Sequence, residues 1–197
     1  MIGKLVFTFG PMGCGKTLDL LRTAGNFEQG AHKVDVMKPK MDTKGGEAIL
    51  SRLGDPRKVD ILFDRDDNLY DILDKSSAEI FCIDEAQFLT KEQVDQLMQA
   101  KIDMGVEIYC WGLRTNFMRT GEGFEGATRL LQIATDVREL EGRCWMCGAK
   151  ATLNGRFYGH HLITEGDPIL IDDDGNDEEY HAICENCYNE MKYNKDR

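Results

Sequence analysis

The stretch FGPMGCGKT, Phe9 to Thr17, follows the apolar run KLVFT near the start of the 197-residue chain. It fits the spacing G-x-x-x-x-G-K-[ST], with Gly10, Gly15, Lys16 and Thr17 in register. In a loop of this kind the backbone N–H groups surround phosphates, the lysine reaches the β- and γ-phosphates, and the hydroxyl binds Mg²⁺. Glycine is required because the backbone approaches the anion closely and adopts positive φ values. The sequence therefore predicts a phosphate-binding loop, although the loop alone does not identify the reaction.

The segments on either side of this loop support the prediction. An apolar strand precedes the loop, and the amphipathic segment KTLDLLRTAGNF follows it. A helix in that place would direct the positive end of its dipole at the same anion. The alternative is a glycine-rich strand–helix turn without a ligand, and the strand–loop–helix context favours the phosphate site over it.

Composition and charge restrict the class of protein. Apolar residues make up 42% of the chain and charged residues 30%, as in ordinary globular domains. The chain has no apolar run long enough to cross a membrane, and it enters a strand without a charged and apolar leader. We therefore expect no membrane span, no secretory signal and a cytoplasmic location. The formal net charge of −11 disfavours nucleic acid as a partner, because the surface would repel its phosphates.

Strand-like and helix-like segments alternate until the composition changes at about Glu141. Such alternation indicates a parallel sheet with helices on both faces, an α/β domain of the P-loop NTPase-like (RecA-like) class. One helix has a capping-box pattern from Thr90 to Gln93 and ends at Gly105, and KMDTKGGEAILSRLGDPRK is expected to be a mobile loop. The predicted strands are KLVFTFG, KVDVMKP, EIFCID, VEIYCWG and DVREL, and the predicted helices are the segment from Lys16, NLYDILDK, TKEQVDQLMQAKIDMG and EGATRLLQIA.

A second site is predicted by the segment IFCIDEAQF, in which an apolar strand ends in two acids. Asp84 occupies the place where a P-loop enzyme holds Mg²⁺, and Glu85 follows it directly. At the carboxyl edge of a strand both carboxylates can face the phosphate crevice, and the second could activate a water or a substrate hydroxyl. The alternatives are a cap or turn role for Asp84 and a merely exposed charge for Glu85.

The seven cysteines separate into three groups. Cys14 lies in the phosphate loop, and Cys82 and Cys110 lie in apolar strands, where a thiol packs as a small hydrophobe. The remaining four form two Cys-x-x-Cys pairs, which in a reduced compartment suit Zn²⁺ better than disulfides. Four protein ligands leave no open position, so the predicted metal is structural. The four ligands are Cys144, Cys147, Cys184 and Cys187.

The change of composition divides the chain into a predicted P-loop domain, residues 1–140, and a small zinc-ribbon-like domain, residues 141–197. The acidic tract DDDGNDEE, Asp172 to Glu179, lies between the cysteine pairs and is expected to be a solvated loop. It is a poor match to a calcium-binding loop, because Gly175 follows Asp172 too early.

Taken together, these features resemble the type II thymidine kinases, which combine a P-loop domain with a small zinc domain. The resemblance covers essentially the whole chain. It implies transfer of the ATP γ-phosphate to the 5′-hydroxyl of thymidine or deoxyuridine, with Mg²⁺, a homotetrameric assembly and feedback inhibition by dTTP. The motifs that carry it are FGPMGCGKT, KPKMDT, SRLG, IDEAQFL, YCWGLRTNF, FEGA, the paired cysteines and EYHAIC.

The resemblance also implies roles for individual residues. Thr17 and Asp84 would hold Mg²⁺, Glu85 would be the general base, and Arg52 would lie near the phosphates. The ATP phosphates would bind the Lys16 side chain and the loop formed by Gly10, Pro11, Met12, Gly13, Cys14, Gly15, Lys16 and Thr17, whose backbone N–H groups other than that of proline would be the donors. The nucleoside pocket would be lined by Met12, Phe88, Leu113, Phe117, Phe124 and Tyr180.

The residues themselves leave other readings open. The pocket residues could be plain core, and Tyr180 could pack the small domain. The family usually carries Gly-Gly before that tyrosine, in the loop called a lasso, whereas this chain reads ILIDDDGNDEEY. A kinase of another deoxynucleoside is therefore an alternative. DEAQ also resembles a helicase box, so a nucleic-acid-stimulated ATPase and a non-catalytic zinc-ribbon adaptor are further alternatives, although motors of the first kind usually need two sheet domains.

Overall fold

The computed structural model describes residues 3–42, 46, 48–49, 56–117, 123–166 and 178–193. Within these ranges the strands are β1 (Leu5–Phe9), β2 (Val34–Pro39), β3 (Ala48–Ile49), β4 (Arg57–Lys58), β5 (Ile61–Phe63), β6 (Ile80–Ile83), β7 (Glu107–Gly112), β8 (Asp136–Glu139), β9 (Gly142–Arg143), β10 (Lys150–Ala151), β11 (Leu153–Tyr158), β12 (His161–Ile163) and β13 (Glu178–Ile183). The helices are α1 (Lys16–Gln29), α2 (Leu69–Lys75), α3 (Lys91–Met104), α4 (Glu125–Ile133) and α5 (Glu185–Tyr193), and a 3₁₀ helix covers Ala86–Phe88.

Six strands form one parallel sheet in the order β5-β2-β6-β7-β1-β8. This confirms the predicted α/β class and each of the five predicted strands. The edge strand β5, which has three residues, is not predicted by the sequence. A segment so short has no measurable periodicity, and pairing with β2 is what makes it a strand.

Successive residues of the central strands bury on opposite faces of the sheet. In β1, Leu5 and Phe7 belong to the larger core cluster, whereas Val6 belongs to the cluster that contains Leu20 and Ala24 of α1. Strands buried on both faces read as continuous apolar runs, which is why LVFTF and IFCI show no alternation in the sequence. Both faces are therefore covered, as the sequence predicts.

The start and end of α3 follow the predicted signals. The Thr90 hydroxyl accepts a hydrogen bond from the Gln93 N–H, and the Gln93 side chain accepts one from the Thr90 N–H. Gly105 ends the helix in the left-handed conformation. This capping box is confirmed.

The stretch expected to be a mobile loop contains regular structure. Within its described residues β3 pairs antiparallel with β4, and Ile49 is buried. The sequence did not predict these two short strands, and the expectation that the stretch is mobile stays a prediction.

Beyond β8 the architecture changes to small antiparallel sheets. Strand β9 pairs with β10, and β11 pairs with both β12 and β13. A third core cluster lies here, around Phe157, Ile183 and Tyr188 together with three of the paired cysteines. The parallel sheet ends at Glu139 and the antiparallel part begins at Gly142. The division into domains 1–140 and 141–197 stays a prediction.

Two residues of the acidic tract are not in a loop. Glu178 and Glu179 begin β13, opposite Tyr158 and Phe157 of β11. The expectation of a solvated loop was wrong for them, because β13 starts two residues before Tyr180. The rest of the tract lies outside the described residues. In the part of the chain that is described, no helix combines the length and apolar character needed to cross a membrane.

Candidate active site and metal centre

The phosphate loop joins β1 to α1 and needs glycine for two different reasons. Gly13 and Gly15 have φ values of 73° and 94°, the left-handed region that other residues enter at a cost. At Gly10 the reason is space, because a Cβ there would stand 2.5 Å from the Leu140 carbonyl oxygen. These constraints give the loop one backbone path, which ends at the N-terminus of α1.

The Lys16 ammonium group lies inside this loop. Its Nζ donates hydrogen bonds to the carbonyl oxygens of Gly10 at 3.1 Å and Pro11 at 2.9 Å, and the residue is buried. A buried ammonium needs such partners. The loop thus holds a positive charge where its motif brings phosphates.

Thr17 and Asp84 come together from the ends of two strands. The Thr17 Oγ1 lies 3.5 Å from the Asp84 Oδ2, although β7 separates β1 from β6 in the sheet. Hydroxyl and carboxylate oxygens are the ligands that Mg²⁺ takes at P-loops, so this pair fits the metal. Burial raises the pKa of Asp84 to about 7, and the charge of Glu85 adds to the effect, while the Glu85 N–H and Lys16 oppose it. A bound cation would favour the ionised form.

Glu85 is held in an unusual backbone conformation. Its φ and ψ are 50° and 38°, and a non-glycine residue there stores strain of about 1–3 kcal/mol. Its N–H donates to the Asp84 Oδ1 at 3.0 Å, and its Oε2 accepts from the Gln87 Nε2 at 2.5 Å. Glu85 is therefore a half-buried, oriented carboxylate rather than a loose surface charge.

The predicted pocket residues form two contacting pairs and two separate positions. The rings of Phe88 and Phe124 meet edge to face at 5.7 Å, and those of Phe117 and Tyr180 lie 6.4 Å apart. Phe117 is buried, while the other five are half-buried. The other two positions are held by backbone hydrogen bonds. The Met12 N–H donates to the Asn154 Oδ1, and the Leu113 N–H donates to the Gln87 Oε1. Arg52 lies outside the described residues.

Phe117 also contacts the antiparallel part of the chain. The Arg156 guanidinium lies 5.2 Å from the centre of its ring and is paired with the carboxylate of Glu178. The Tyr188 hydroxyl donates to the Phe117 carbonyl at 3.4 Å. This side chain joins the loop after β7 to the strands that carry Tyr180.

The four paired cysteines converge as predicted. The Sγ atoms of Cys144, Cys147, Cys184 and Cys187 all lie within 4.8 Å of one another, and none forms a disulfide. The Cys147 and Cys184 sulfurs are 3.6 Å apart, close to the roughly 3.8 Å that a tetrahedral Zn²⁺ site with bonds of about 2.3 Å requires. The set therefore fits structural zinc.

Backbone geometry favours a thiolate at one of these ligands. Burial works against ionisation of Cys144, but N–H groups of Cys184, Cys147 and Met146 outweigh it, and the pKa of this thiol falls to about 6. The Cys144 carbonyl accepts from the Gly148 N–H at 2.8 Å, which closes the first turn. Cys82 and Cys110 lie fully buried in the parallel sheet, as predicted for core thiols.

Two residues of the site were missed by sequence reasoning. Gln87 and Asn154 are buried amides that bind the backbone N–H groups of Leu113 and Met12. A polar residue soon after an apolar strand is a weak signal for Gln87. Asn154 has no local signal, because its partners are distant in the chain.

A parallel α/β sheet with a glycine loop after β1 and an acid after β6 defines the class of P-loop proteins that bind nucleoside triphosphates. The profile of the family described as "Thymidine kinase" matches residues 3–188. The chain belongs to this thymidine kinase family, as its resemblance implied, and is an enzyme of the kinase class.

Curated thymidine kinases are similar in sequence to this chain over nearly its full length and theirs. The chain is 36% identical over 200 residues to a thymidine kinase of Francisella tularensis subsp. holarctica (strain LVS), which covers 98% of this chain and 100% of that protein. It is 35% identical over 196 residues to the enzyme of Enterobacteria phage T4, covering 96% and 97%. It is 32% identical over 190 residues to that of Lactiplantibacillus plantarum, covering 95% and 96%.

Proposed function

We propose that this kinase transfers the γ-phosphate of ATP to the 5′-hydroxyl of thymidine, and also of deoxyuridine, releasing ADP. The observation that supports it is one edge of the sheet where Lys16, the Thr17–Asp84 pair and Glu85 lie together. These are the groups that phosphoryl transfer to a hydroxyl requires, and the relatives carry the name thymidine kinase.

The chain's own residues divide the reaction between them. Lys16 and the loop N–H groups stabilise the charge that develops as the bond between the γ-phosphorus and the bridging oxygen breaks. Glu85 accepts the proton of the 5′-hydroxyl as that oxygen bonds to the γ-phosphorus. Thr17 and Asp84 would hold Mg²⁺, which would neutralise phosphate charge during transfer.

The nucleoside would lie between the phosphate loop and the antiparallel strands. We assign its contacts to the aromatic pairs Phe88–Phe124 and Phe117–Tyr180 and to the half-buried Met12 and Leu113. We assign a contact with the ATP phosphates to Arg52. The Phe117–Tyr180 pair joins the loop after β7 to β13, so both rings would lie on the same side of the nucleoside.

Regulation and assembly follow from the family resemblance. We propose feedback inhibition by dTTP, a homotetramer, a structural Zn²⁺ and a cytoplasmic location. The four converging thiols support the structural Zn²⁺, and Cys-x-x-Cys pairs that bind a metal are typical of reducing compartments such as the cytoplasm.

A substrate panel tests the proposal. ADP release would be measured with thymidine, with deoxyuridine, with other deoxynucleosides, with single-stranded DNA and with ATP alone. We expect release with the first two and formation of the matching monophosphate. Stimulation by DNA would favour a motor ATPase, preference for another deoxynucleoside would change the substrate assignment, and no release in any arm would favour the adaptor.

A further inference from the structure

Gln87 connects the candidate base to the wall of the predicted nucleoside pocket. It is 2% exposed and lies in the 3₁₀ helix that follows Glu85. Its Oε1 accepts from the Leu113 N–H at 3.0 Å, and its Nε2 donates to the Glu85 Oε2. Both ends of one buried side chain are therefore used within the site.

The orientation of this amide follows from its partners. A backbone N–H can only donate, so the amide oxygen must face Leu113. The NH₂ group is thereby directed at Glu85, whose ionised carboxylate can only accept. The contact with Leu113 thus determines that Gln87 presents a hydrogen-bond donor, and not an acceptor, to the Glu85 carboxylate.

Space for Gln87 is provided by a glycine at the end of β7. A Cβ at Gly112 would stand 2.8 Å from the Gln87 Oε1 and 3.0 Å from its backbone nitrogen. A larger residue would push the amide away from both partners. The close approach of β7 is therefore part of the same arrangement.

We propose that Gln87 is a positioning residue for phosphoryl transfer. Its amide links the Glu85 carboxylate to the Leu113 N–H, so that the candidate general base is fixed relative to the wall of the predicted nucleoside pocket. The inference rests on the proposed role of Glu85. With Oε2 occupied by the amide, Oε1 is the oxygen left for the nucleophile's proton. An anchor on this carboxylate matters for the rate, since a displacement of about 1 Å can cost about 10²-fold.

A purely structural glutamine would behave differently. Its loss would lower stability and leave the chemical step intact. Gln93, on α3, is the matched control. It is also 2% exposed, and its amide donates to the backbone carbonyls of Asp64 and Asp67 rather than to Glu85.

The test uses the full chain with Gln87→Met, which removes donor and acceptor, and Gln87→Glu, which keeps an oxygen for Leu113 and removes the amide donor. Single-turnover transfer to thymidine should fall by about 10–10²-fold in both, with KM for ATP and thymidine within about threefold of wild type. Gln93→Met should lower the melting temperature and leave the transfer rate unchanged. Transfer near wild type in a folded Gln87→Glu would overturn the inference.

A double-mutant cycle separates this inference from the function on which it rests. In the Glu85→Gln background, adding Gln87→Met should change the rate by less than about threefold, because residues acting as a unit are not additive. Multiplied losses would show that Gln87 acts apart from Glu85 and would overturn the inference. If Glu85→Gln alone keeps the wild-type transfer rate, Glu85 is not the general base. The positioning role of Gln87 then fails as well, because it depends on that base.

Discussion

The Asn154 Oδ1 accepts a hydrogen bond from the Met12 N–H at 2.7 Å, across 142 positions of sequence. The same amide donates from Nδ2 to the Thr115 carbonyl at 3.3 Å. One buried side chain on β11 therefore fastens the phosphate loop and the loop after β7 to the antiparallel strands. Gly142 also packs closely against the phosphate loop, since a Cβ there would lie 2.4 Å from the Pro11 Cγ. The part of the chain that carries the cysteines helps to shape the phosphate loop.

Asn154→Ala should raise KM for ATP several-fold and lower stability by about 1–3 kcal/mol, because two backbone groups lose a buried partner. Steady-state kinetics and thermal melts would measure the two effects. Asn154→Asp keeps the acceptor for Met12 and should recover most of the affinity for ATP. Unchanged KM in Asn154→Ala would show that the loop keeps its shape without this contact.

Lys16→Ala should abolish turnover, with a loss of about 10²–10³-fold or more, while the chain still folds. The charge that stabilises the phosphates is lost, whereas the glycine conformations that set the path of the loop remain. Turnover and circular dichroism would be compared with Lys40→Met, which removes an exposed lysine that pairs with the Asp64 carboxylate. A folded Lys16→Ala enzyme with wild-type turnover would exclude the phosphate role.

Glu85→Gln should slow single-turnover transfer by about 10²–10⁴-fold while ATP binding survives, because size is kept and only the base is lost. Rapid-quench measurement with saturating nucleotide would follow the step. Asp84→Asn is the comparison. Because Asp84 would hold the metal, Asp84→Asn should lower the transfer rate in a way that added Mg²⁺ partly restores. If added Mg²⁺ also restored transfer in Glu85→Gln, the two acids would not have separate roles.

Elemental analysis of protein purified without added metal should find about one zinc per chain. Cys184→Ser should reduce the zinc content and the melting temperature, since four converging thiolates form the site. Cys110→Ala is the matched control, because this buried thiol lies in the parallel sheet and its loss should leave the zinc content unchanged. Zinc-free wild-type protein of full stability would refute the metal site.

Glu178→Ala should destabilise the fold by about 3 kcal/mol, because the Arg156 guanidinium is buried and loses its carboxylate. Denaturant unfolding would measure the change. Lys40→Met, which breaks an exposed ion pair, should leave the unfolding midpoint nearly unchanged. Equal effects of the two substitutions would show that burial of the Arg156 pair contributes nothing.

Local spacing in the sequence determined the phosphate loop, the capping box at Thr90, the acids after β6 and the four sulfur ligands. Each of these depends on residues that are near one another in the chain, where φ preferences, helix termini and chelate geometry act directly. The continuous apolar strands likewise determined a sheet buried on both faces.

Only the tertiary structure decided the roles of Gln87 and Asn154, the strand character of β5, and the pairing of Glu178 with Arg156. These depend on which distant segments meet, and a polar residue has the same local pattern whether it ends at the surface or against a backbone N–H. The hydrogen bond between Met12 and Asn154 spans 142 positions, so it produces no periodic pattern in the sequence. Such contacts depend on how the whole chain packs and not on neighbouring residues.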